Sequence, residues 1–103
     1  MKVLREGHKY EMSAFEDGGE PQTIHFIEKV PVAEGSSELK TVFNGTTNEE
    51  VLAVMIDRMQ SLQSKFPCRE NAIVITKLEE SLMWLNKRTA DRKARNVEGK
   101  QIK

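Results

Sequence analysis

Apolar and polar positions change period near the middle of the chain, and the change separates two kinds of element. In the first half the period is two: Tyr10, Met12 and Ala14 interleave with Glu11 and Ser13 across Lys9–Phe15. A strand turns successive side chains to opposite faces, so this alternation predicts one. Two more strands are predicted over Gln22–Lys29, which carries Thr23, Ile24, Phe26 and Ile27, and over Glu38–Phe43. Turn chemistry lies between them. Glu16-Asp17-Gly18-Gly19-Glu20-Pro21 contains steps that accept positive φ, and Pro31 to Ser37, with Gly35, interrupts the second run. A three-stranded antiparallel meander is the simplest arrangement.

From residue 46 onward the period is helical. Thr46 with Glu49, or Thr47 with Glu50, can form a capping box, hydroxyl and carboxylate each satisfying an orphan amide. Leu52, Met55, Met59, Leu62 and Phe66 then recur at spacings of three and four. Pro67 ends this helix, because the residue before proline is driven out of the α region. A second helix is predicted from Cys68 or Arg69 to about Arg95, with Ile75, Leu78, Leu82 and Leu85 as its seam. The short link makes the pair an antiparallel hairpin. The fold class is therefore α+β: a small antiparallel β-sheet of about three strands followed by a long antiparallel α-helical hairpin. Residues 1–103 read as a single domain, with the sheet part at 9–44, the hairpin at 47–96 and a flexible polar tail at 97–103.

The second helix has more apolar residues than one seam needs. Ile73, Val74, Met83 and Trp84 point elsewhere, either onto the sheet or onto another subunit. At 103 residues the chain is small enough that oligomerisation is a reasonable expectation. With 38% apolar and 31% charged residues it has the balance of a folded protein, not a disordered one. Its single cysteine, Cys68, excludes an internal disulfide. No apolar run approaches a bilayer-spanning length, and Met1 to Glu6 lacks the apolar core of a signal peptide, so a cytoplasmic protein is expected.

The formal net charge of zero conceals a segregation. Residues 1–86 carry 9 Lys/Arg against 14 Asp/Glu, a net of −5; residues 87–103 carry 7 against 2, a net of +5. Within the basic end, Arg88, Arg92 and Arg95 stand at i, i+4 and i+7. Guanidiniums are permanently charged and match phosphate oxygens in pairs, so such a cluster suits an anion. The alternative is complementation of the helix dipole, with Asp91 and Glu98 as partners. Asn71, at the other end of the same helix, lies near amides that can also hold an anion, though on spacing alone a first-turn polar role or N-cap is the favoured reading. His8 and His25 have no neighbouring Cys or His ligand set, so no metal site is expected. Cys68 reads as a small turn residue. The chain has no phosphate-binding glycine loop, no Ser-His-Asp ordering and no paired carboxylates, which argues against a catalytic centre and against a cofactor.

Phe66-Pro67-Cys68-Arg69-Glu70-Asn71-Ala72-Ile73, then Thr76-Lys77-Leu78-Glu79-Glu80-Ser81-Leu82-Met83-Trp84-Leu85 and Lys87-Arg88-Thr89-Ala90-Asp91-Arg92 resemble the phage-encoded Thoeris anti-defence proteins, sponges that sequester cyclic ADP-ribose signals. His25–Lys29, Glu38–Val42 and Thr46–Leu52 extend the likeness to roughly residues 10–99. The hairpin also resembles phage anti-CBASS sponges for cyclic di- and trinucleotides. The resemblance implies homodimers or hexamers built as trimers of dimers, binding glycocyclic ADP-ribose between subunits without altering it, in the host cytoplasm. It implies ligand contacts from Asn71, Arg88 and Arg92, the arginines on the diphosphate, with Asp91 toward ribose or a neighbouring arginine. Ser61 stands where relatives carry an aromatic residue on the first helix, which removes a stacking platform for adenine. Arg69 and Ala72 fall where a cyclic-trinucleotide site would lie.

The leading expectation is thus a non-enzymatic sponge for glycocyclic ADP-ribose, ahead of one mainly for cyclic oligonucleotides. A small nucleic-acid-binding regulator would instead bind polymer with steep salt dependence. In a purely structural protein the arginines would only join subunits.

Overall fold

A computed structural model describes all of residues 1–103. The order of elements is β1 (Lys2–Arg5), β2 (Lys9–Met12), β3 (Gln22–His25), β4 (Glu28–Pro31), β5 (Leu39–Phe43), α1 (Asn48–Lys65) and α2 (Arg69–Ala94). The α+β class read from the pattern is the one observed. Two compact units result, Met1–Thr47 and Asn48–Lys103.

A three-stranded antiparallel meander is present, but its strands are not the three expected. β1, β2 and β3 form one antiparallel sheet in that order, and β4 with β5 forms a separate two-stranded ribbon. β1 went unforeseen because Lys2-Val3-Leu4-Arg5 puts two apolar residues side by side between charges and so shows no alternation. The run expected as one strand over Gln22–Lys29 is two, because the chain changes partners at its centre. Phe26 N–H still donates to the His8 carbonyl (2.7 Å), whereas Ile27 N–H donates to the Thr46 carbonyl (2.8 Å). Phe26 and Thr46 form an isolated parallel bridge there. Gly45 is obligatory at this crossing: a β-carbon would collide with the backbone carbonyls of His25 and Phe26.

Side chains reinforce the junction. Tyr10 meets Phe26 edge to face with ring centroids 6.1 Å apart, and His25 stacks on Phe43 at 3.4 Å. Arg5 donates to both carboxylate oxygens of Glu28, through Nε and Nη2, each at 2.6 Å. Both residues sit at register shifts, one between Val3 and Arg5 and one between Glu28 and Lys29. A bulge re-aims a side chain out of the ordinary alternation, which is how two charges from different sheets come to face each other.

In the second unit α1 and α2 pack as a hairpin. α1 starts at Asn48, which selects the Thr47/Glu50 register of the two capping boxes. Its half-buried positions are Glu49, Val51, Leu52, Ile56, Met59, Leu62 and Gln63. The expected seam therefore holds at Leu52, Met59 and Leu62, while Ile56 takes the place of Met55, which is 39% exposed, and Phe66, beyond the helix, is 79% exposed. Cys68 caps α2, its Sγ accepting from the Asn71 amide at 3.4 Å. Gln63 locks the turn by accepting from the Cys68 N–H and donating to the Cys68 carbonyl, both at 3.0 Å.

Along α2 the half-buried or buried positions are Asn71, Ile75, Leu78, Leu82, Leu85, Thr89 and Arg92, an unbroken 4–3 repeat. The apolar seam therefore has a polar residue at its first position and two at its last. α2 ends in a Schellman arrangement: Asn96 is left-handed (φ 59°), its N–H donates to Lys93 and the Val97 N–H donates back to Arg92. Gly99, at φ 82°, supplies the positive φ of the turn closed by Lys100 N–H on the Val97 carbonyl. No helix is long and apolar enough to cross a membrane.

Candidate functional site

The three arginines at the end of α2 have different surroundings. Arg92, on the seam, is buried at 4% exposure. Its Nη2 donates to the carbonyls of Val97 (2.8 Å) and Lys100 (2.6 Å), and its Nε lies 3.4 Å from Glu98. The Schellman turn delivers those acceptors, so Arg92 braces the end of its own helix. Its Nη1 is buried without a partner. Arg95 pairs with Asp91 at 3.3 Å, one turn back, and donates to the Lys103 carbonyl. Arg88 is exposed, with no ion pair or hydrogen bond inside the chain.

These facts divide the cluster chemically. A guanidinium already serving three acceptors offers an anion little; an exposed, uncompensated one offers its whole bidentate edge. Asp91 is half of an exposed pair. The alternative reading of Asp91 and Glu98 as internal partners thus applies to Arg95 and Arg92 but not to Arg88.

Asn71 lies in the first turn of α2, half-buried on the seam. Arg69 and Ala72 are exposed on the same turn. Ser61 is exposed on α1, in a shallow depression lined by Ala53, Val54, Asp57, Arg58, Leu62 and Lys65. Ser61, Arg69, Asn71 and Ala72 therefore cluster at the turn end of the hairpin, and Arg88, Asp91 and Arg92 at the other end. Asn71 and Arg88 are seventeen residues apart on one helix, roughly 26 Å at 1.5 Å per residue. One chain does not bring the two groups onto one small ligand.

A sequence profile of the Acb2/Tad1 hairpin domain matches residues 22–90, two thirds of the chain. The chain belongs to the Acb2/Tad1 hairpin family. The match runs from β3 through the ribbon and α1 to the last turns of α2, and so takes in Arg88. A similar protein, named Thoeris anti-defense 1, from Bacillus phage SBSphiJ7, is 46% identical over 96 residues, 92% of this chain. The chain spans 63% of that relative's own length. Two features of this Acb2/Tad1 family member have no local sequence signal: the Gln63 clamp, which bridges five residues across the hairpin turn, and the Arg5–Glu28 pair among the strands, assembled by two bulges.

Proposed function

We propose that this protein is a phage anti-immune sponge that binds glycocyclic ADP-ribose and holds it unaltered, blocking Thoeris defence in the host cytoplasm. The observation that carries the reading is the free Arg88 guanidinium, within the segment matched to the Acb2/Tad1 hairpin. A relative covering most of the chain bears the name of an anti-defence protein. Arg88 would clamp the ligand's diphosphate, and Asn71 would donate from the opposite end of a second copy's α2. The 26 Å separation within one chain favours a site completed by two copies. A contact from Arg92 would require its buried Nη1, the one donor left over from bracing the helix end, to be uncovered on binding, which makes Arg92 the lesser of the two arginines.

The exposed apolar side chains fit the same arrangement. No hydrophobic residue of the chain is buried, and Val54, Met55, Ile73, Val74 and Met83 are between 39% and 60% exposed. Covering them in a homodimer, or a hexamer of three dimers, would supply the apolar burial the single chain lacks. Arg69 and Ala72, exposed at the start of α2, would form part of a second site for cyclic trinucleotides. Gel filtration of the protein after incubation with each glycocyclic isomer tests the reading. Ligand should co-elute with wild type, and failure of every isomer to co-elute would overturn the proposal.

A further inference from the structure

The only tryptophan of the chain lies one helical turn before Arg88. Trp84 is 56% exposed, and the Lys87 Nζ stands 5.8 Å from its ring centroid. Residues i and i+4 share a helix face about 6 Å apart along the axis. That spacing is of the order of the distance from an adenine ring to the diphosphate in an adenine nucleotide. Charge agrees with geometry: Lys87 and Arg88 are exposed, Asp91, the acid nearest Arg88 on this face, is engaged by Arg95 at 3.3 Å, and Glu80 lies on the far side of Trp84 from the two cations. An aromatic face with uncompensated cations on one side suits a ligand that is flat at one end and anionic at the other.

We propose that Trp84 is the base platform of this site, stacking the adenine of a nucleotide whose diphosphate lies on Arg88, with Lys87 adding charge beside the ring. It would replace, from α2, the aromatic surface that Ser61 does not provide on α1. The inference rests on the nucleotide-sponge reading above and adds the residue that selects a purine.

Because Trp84 is the sole tryptophan, its fluorescence reports the contact directly. ADP and the retained glycocyclic ADP-ribose should quench it, whereas inorganic pyrophosphate should displace ADP without quenching by itself. Trp84→Ala should weaken ADP at least about five-fold, and by more than it weakens pyrophosphate. Trp84→Phe should recover most of that loss, with sedimentation unchanged in both variants. Retention of glycocyclic ADP-ribose with no quenching, or with undiminished affinity in Trp84→Ala, overturns the platform and leaves the sponge reading intact. Dissociation of an oligomer in Trp84→Ala also overturns it, by assigning the ring to a contact between copies. Quenching by ADP with no glycocyclic isomer retained overturns the sponge reading and upholds the platform; silence with every probe overturns both.

Discussion

Arg88 and Arg92 stand one turn apart on α2, one exposed and unpaired, the other buried among three acceptors. Their substitutions should therefore separate. Arg88→Ala removes no internal contact, so thermal stability should stay within about 0.5 kcal/mol of wild type while ligand retention is lost. Arg92→Ala strips the Val97 and Lys100 carbonyls of a charged donor and should cost about 2 kcal/mol. Amide exchange at Val97 and Lys100 should accelerate first. Equal destabilisation by the two would refute the division. Sequence spacing placed all three arginines near one another and offered Asp91 and Glu98 as partners, but it could not show that Arg92 is buried, because its carbonyl acceptors come from a turn beyond the helix.

Glu28 poses a residue-scale question of pH. The Arg5 guanidinium, hydrogen-bonded to both oxygens, holds its carboxyl below the ordinary glutamate value. Folded protein then binds that proton less readily than unfolded chain. The pair's stabilisation is complete above the ordinary range and is lost as pH falls through the lowered value. His25 has the same sign: burial first, and then Lys9, depress it below 6.5, so acid also opposes the neutral ring stacked on Phe43. Glu28→Gln should lower the stability of the strands at neutral pH and flatten its decline in acid, read by hydrogen exchange of strand amides. A decline parallel to wild type would show that the pair does not govern the acid limb.

At the scale of elements, the corner between sheet and ribbon depends on Gly45, whose place a β-carbon cannot take without meeting backbone. Gly45→Ala should cost about 3 kcal/mol, with exchange rising at Phe26 and Ile27 while the helical amides keep their protection. Gln63→Ala, by contrast, removes two exposed hydrogen bonds and should cost the hairpin only about 1 kcal/mol. The helices were the legible part of the chain. Pro67, the Thr47/Glu50 box and the 4–3 repeat of α2 are local signals, and they located both helices to within a residue or two. On α1, however, Met55 and Ile56 are neighbours of similar hydrophobicity, and nothing local chose Ile56 for the seam. The strands were less legible. Their four- and five-residue lengths leave little alternation to read, and bulges in β1 and β4 break what there is.

At the scale of the whole molecule, the absence of any buried hydrophobic side chain is the largest departure from an ordinary small domain. A chain of this composition ordinarily hides part of its apolar surface, and the exposed aliphatic and methionine side chains along α1 and α2 would be covered in the proposed assembly. The same assembly would join Asn71 of one copy to Arg88 of another. Neither feature could be read from spacing alone, since i, i+4 arithmetic describes one helix and not its neighbours. A sponge captures its signal without chemistry. The decisive experiment loads the purified protein with glycocyclic ADP-ribose, removes unbound ligand, heats to unfold the chain and identifies what is released by mass spectrometry. The intact cyclic molecule is expected in stoichiometric amount; an opened or hydrolysed product would mean turnover in place of capture.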